Sequence, residues 1–136
     1  MPRIIALVTI AVVAAVGALT ASAATAAHAP VTVKLKEFTL TPSLKADKAG
    51  KITFVVKNAG KIEHEFVVMK TNVAPGKLPV NAKSRVPEKG VVGEIGDIAA
   101  GQTKKKAFRL APGKYVLLCN LVGHYKAGQY AGFIVR

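Results

Sequence analysis

From Val31 to the C-terminus the chain is a succession of short runs rich in Val, Ile, Phe and Thr, broken by Gly, Pro, Asn and Asp. No stretch sustains the apolar repeat of a helix, so the pattern is that of an all-β domain. Candidate strands are Val31–Lys36, Phe38–Thr41, Ile52–Lys57, Glu65–Lys70, Val91–Ile95, Thr103–Leu110, Tyr115–Cys119 and Tyr130–Val135. Strands this short and this regularly spaced predict a Greek-key β-sandwich of seven to eight strands. Within Ile52–Lys57 the residues Ile52, Phe54 and Val56 share one face, which is assigned to the core. Ala111-Pro112-Gly113-Lys114 puts Pro and Gly at the centre of a type II turn, which predicts that the strands on either side are antiparallel neighbours. Thr71 to Gly90, with Pro75, Pro79 and Pro87, reads as a long loop with room for one helical turn.

The first residues are organised differently. Arg3 precedes an apolar run from Ile4 to Ala18 and small-residue patterns such as Ala21-Ser22-Ala23, the layout of a secretory signal peptide. Residues 1–29 are therefore set apart from a single domain over 30–136, and the protein is expected to be exported, periplasmic or extracellular. It would be membrane-associated if the segment were retained, although the apolar run is short for a full span.

Cys119 is the single cysteine, so no intramolecular disulfide can form. A lone thiol in an oxidising compartment needs a reason, and a metal bond to its thiolate is one; an inert buried thiol is the other reading. Five residues on stands His124, and far upstream, where a turn gives way to a strand, stands His64. Apart from carboxylates and the near-terminal His28, to which no role is assigned, these are the strong metal-binding side chains of the domain. Cys119 ends a strand with apolar residues on both faces, and the loop after it returns His124 and Gln129 to the same end of the sandwich. One thiolate and two imidazoles suit copper in electron transfer. Zinc normally requires a fourth firm ligand, and none stands at short spacing.

The segments KIEHEFVV, LAPGKYVLLCN and GHYKAG resemble the small bacterial cupredoxins of the azurin, plastocyanin and auracyanin group. The resemblance covers essentially the whole domain. It implies one copper ion held equatorially by His64, Cys119 and His124, with His124 the partly exposed ligand through which electrons pass. Two positions depart from the bacterial pattern: Val122 stands where proline is common, and Gln129 stands where most relatives carry an axial methionine. The spacing C-x4-H-x4-Q is similar to that of stellacyanins, which implies Gln129 as axial ligand and a lowered reduction potential. Glu65 is a candidate brace for the loop through Asn120, and Leu121, Val122 and Tyr125 are candidates for an apolar docking patch around His124.

The expected function is one-electron transfer between redox proteins, with copper storage, delivery or resistance as the alternative. The mature part has only Met69 and no His-rich tract, which favours the carrier, and its histidines are too few for a copper enzyme. The formal net charge of +13 from 20 Lys and Arg against 7 Asp and Glu points to redox partners with acidic docking surfaces, or to an anionic membrane surface. Export and the scattered lysines, without interleaved aromatic residues, argue against nucleic acid. A monomer is expected.

Overall fold

The computed structural model describes residues 28–136, so the expected export signal lies, but for its last two residues, outside the described residues. The strands are β1 (Val31–Lys36), β2 (Thr39–Pro42), β3 (Ala46–Asp47), β4 (Gly50–Asn58), β5 (His64–Lys70), β6 (Val91–Ile98), β7 (Thr103–Leu110), β8 (Gly113–Leu118) and β9 (Tyr130–Val135). They form a four-stranded sheet, β2-β1-β4-β7, and a five-stranded sheet, β3-β9-β8-β5-β6. The β1–β4 and β3–β9 pairs are parallel and the rest antiparallel. The expected all-β sandwich is present, with nine strands in place of seven or eight. The additional one is the two-residue β3, too short to carry an alternation. Thr71–Gly90 forms turns and no helix.

The alternation read in β4 holds: Ile52, Phe54 and Val56 are buried. Phe54 sits at the centre, its ring centroid 5.1 Å from Phe66, 6.0 Å from Phe108 and 5.6 Å from Phe133. Phe54 is tilted against Phe66 and Phe108 and edge-on to Phe133, contacts that add aromatic attraction to its burial.

The hairpin expected at Pro112-Gly113 is not there. β7 pairs with β4 in one sheet, whereas β8 lies between β5 and β9 in the other. The reason is visible in the two strands. β7 ends in outward Arg109 and inward Phe108 and Leu110, suiting a half-exposed sheet edge, while Tyr115 to Leu118 are all buried and need cover on both faces. The chain therefore crosses from sheet to sheet at this corner. Gly113 takes φ +150, and a Cβ there would run against the Lys70 side chain. Tyr115 Oη donates to the Ala111 carbonyl at 2.7 Å and ties the corner down.

The outer cover of β8 is a second, smaller core. Val116 and Leu118 pack there with Val67, Met69, Leu78, Val86 and Tyr125, beneath the long loop, while Tyr115 and Leu117 face the main core. Asn120 clamps the loop: its Oδ1 accepts from the Val86 N–H at 2.7 Å and its Nδ2 donates to the Val86 carbonyl at 2.9 Å.

Candidate metal centre

Three separate elements bring the donor atoms to one end of the sandwich. His64 opens β5 after a tight turn shaped by the buried Asn58, whose Nδ2 donates to the Ile62 carbonyl (2.7 Å) and the Ile98 carbonyl (2.8 Å) and whose Oδ1 accepts from the Gly60 N–H (2.9 Å). Cys119 follows the last residue of β8, and its N–H donates to the Gln129 carbonyl at 3.1 Å, closing the loop between them. Inside that loop Gly123 takes φ +81, a conformation that favours glycine, and its N–H donates to the Ser84 carbonyl at 2.9 Å. The loop is thus anchored to the long loop, with Val122 exposed where proline would otherwise stiffen the chain.

His64, Cys119 and His124 form one cluster. Their donor atoms make a triangle: His64 Nδ1 to His124 Nδ1 3.3 Å, Cys119 Sγ to His124 Nδ1 3.3 Å, and Cys119 Sγ to His64 Nδ1 4.0 Å. A point equidistant from the three corners lies about 2.1 Å from each, close to ordinary metal–nitrogen and metal–sulfur bond lengths. The residues fit a single soft transition-metal ion without rearrangement of the backbone. His64 and Cys119 are fully buried and His124 is partly exposed.

Gln129 is fully buried, and its side chain points into this cluster. Its Nε2 donates to the Lys36 carbonyl at 2.9 Å and stands 3.1 Å from His64 Nδ1. Its Oε1 is buried without a hydrogen-bond partner among the described residues. A buried amide oxygen without a partner is a lone-pair donor left free for a metal ion, on a side chain whose Nε2 stands against His64.

Burial sets the electrostatics. It pushes the Cys119 thiol up to about 11, against hydrogen bonds from the backbone N–H groups of Glu65 and Leu121 that stabilise the thiolate. Burial also lowers the basicity of His124, helped by neighbouring His64. Both effects favour the neutral forms of Cys119 and His124 in the metal-free protein. Glu65 braces the site as expected, with Arg85 added. Its carboxyl is raised by burial and held by Arg85 and the Asn120 N–H, while the Arg85 guanidinium lies 3.6 Å from it and donates through Nε to the Asn120 carbonyl at 2.7 Å.

The pattern of the sequence did not reveal Glu37. Its Oε1 accepts from His64 Nε2 at 2.9 Å, although the two residues are far apart in the chain. Burial opposes ionisation, but the N–H groups of Ile62 and Lys61 and the His64 ring hold the Glu37 carboxyl down at about 2. Phe38 was also missed: its ring packs edge-on against His124 with centroids 4.9 Å apart. Both lie at the bend between β1 and β2, where no periodicity marks a residue as inward. Tyr125 is corrected. It is buried in the second core, its Oη accepting from the Leu78 N–H at 3.0 Å, because the Ala127 and Gly128 turns fold the loop back over it. His28 bonds Asp47 through Nδ1 at 2.9 Å, away from the cluster.

Fold and site together define a cupredoxin-type β-sandwich with a His–Cys–His donor cluster at one end. By sequence the chain matches no protein-family model and no curated protein. Among solved structures it is similar to dithionite-reduced auracyanin from Roseiflexus castenholzii, with 21% identity, 77% of this chain and 94% of that one covered, and a TM-score of 0.60. It is similar also to an azurin from Methylomonas sp. strain J (16% identity, 81% and 99% covered, TM-score 0.57). A third is auracyanin A from Chloroflexus aurantiacus, described as a blue copper protein (20% identity, 79% and 100% covered, TM-score 0.53).

Proposed function

We propose that the protein is an exported one-electron carrier that would hold a single copper ion through His64, Cys119 and His124, with the Gln129 side chain as a fourth donor. The observation that carries this reading is the donor triangle itself, already at bonding dimensions and fixed by hydrogen-bonded turns on three elements. Bound there, copper supplies a centre that gains and loses one electron. The chain supplies the rigidity: donors that need not move between oxidation states keep the reorganisation small. The likeness to a blue copper protein agrees with this chemistry.

His124 is the partly exposed donor, with the exposed Phe38 packed against its ring and the exposed Val122 two residues before it in the loop. That rim, rather than Tyr125, is the contact zone for a redox partner. Charge guides the encounter. Strands β1, β2, β4 and β7 contain no acidic residue, and the outer face of their sheet presents Lys34, Lys36, Lys51, Lys57, Lys105 and Arg109. Lys34 stands opposite Lys57 and Lys51 opposite Arg109, like-charge pairs that are relieved by an acidic partner. The layout of residues 1–29 supports export.

Voltammetry of the copper-loaded protein separates a carrier from a store. A carrier gives a reversible one-electron wave with fast exchange to a small redox dye. An irreversible wave, with copper lost on reduction, would assign the site to storage or delivery.

A further inference from the structure

We infer that Glu37 is a positioning residue that orients His64 and sets the reduction potential of the centre; this rests on the copper reading above. The Glu37 Oε1 collects three donors: His64 Nε2 at 2.9 Å, the Lys61 N–H at 2.9 Å and the Ile62 N–H at 3.2 Å. Gly60 completes the cradle, since a Cβ there would run into the carboxylate. The turn that delivers His64, held on one side by Asn58, is thus held on the other by this carboxylate.

Two consequences follow from the chemistry. Nε2 must carry the proton to donate to Glu37, so the lone pair is on Nδ1, the atom that faces Cys119 and His124. A full negative charge on the far side of the ring also strengthens Nδ1 as a donor, as carboxylates behind metal-bound histidines do. A stronger donor and a nearby anion both favour the more highly charged Cu(II) over Cu(I). Glu37 thus acts in the same direction as Gln129, from the opposite side of His64.

The test is Glu37→Gln, which keeps the shape and removes the charge, with Gly60→Ala as a second variant that keeps the charge and displaces the carboxylate. Each copper-loaded variant is measured by voltammetry, visible spectroscopy and Cu(II) affinity. In Glu37→Gln the charge-transfer band is expected to persist, Cu(II) affinity to fall 10- to 100-fold, and the potential to rise by at least about 59 mV, a tenfold change in the Cu(II) to Cu(I) preference. Gly60→Ala should shift the potential the same way by a smaller amount. Should Glu37→Gln fail to hold copper, the Gly60→Ala potential decides. An unchanged or lowered potential with the band intact overturns the assignment of Glu37. A wild-type protein without the band overturns the copper reading instead.

Discussion

Gln129 turns its amide into the donor cluster and leaves its Oε1 buried and unpaired. An amide oxygen is a harder donor than a thioether and favours Cu(II), so Gln129→Met should raise the reduction potential by about 59 mV or more, a tenfold shift in preference. A potential that stays put or falls, measured beside the wild type, removes Gln129 from the donor set. Cys119 carries a second prediction at this scale. Its folded-state pKa is raised by burial from 9.0 to about 11, so the neutral thiol stabilises the metal-free fold fully below about pH 9, and that contribution is lost as pH rises towards 11. Denaturant unfolding should show the metal-free wild type losing ~2–3 kcal/mol more than Cys119→Ser across that window. Parallel pH profiles of the two proteins would contradict the burial of the thiol.

At the scale of elements, β4 and the β7–β8 corner determine how firmly the site is held. Phe54 is fully buried among three other rings, and Phe54→Ala should cost ~3–5 kcal/mol in chemical unfolding, since the cavity cannot close between two sheets. A loss below about 1 kcal/mol would mean that the rings repack freely. Most strands were legible because alternation such as Ile52, Phe54 and Val56 reports burial directly. Pairing was not: Pro112-Gly113 carries the residues of a hairpin turn, yet the double-sided burial of Tyr115 to Leu118 places β8 in the other sheet. That clue lay in the sequence as an unbroken apolar run, but its weight against a strong turn signal depends on tertiary packing. The same holds for Tyr125, whose place in the second core depends on a loop with no period. His64, Cys119 and His124 could be named because their chemistry is distinctive. Glu37 could not, since a carboxylate at a bend looks like any solvated one until the fold sets it against His64.

At the scale of the molecule, the outer face of the β2-β1-β4-β7 sheet carries lysine and arginine and no acidic residue, and the exposed Phe38 packs against His124. Electron-transfer rates with an acidic redox protein should fall steeply between low and physiological ionic strength, and Lys34→Glu with Lys57→Glu should flatten that dependence. Rates that ignore salt would leave the lysines with solubility alone. The electron-carrier function depends on a thiolate bonded to copper inside a preformed triangle. The most direct measurement is the visible and EPR spectrum of the protein with one equivalent of Cu(II), beside Cys119→Ser. The account predicts an intense sulfur-to-copper charge-transfer band that Cys119→Ser loses while remaining folded; a wild type without that band, or a Cys119→Ser spectrum unchanged from it, would contradict it.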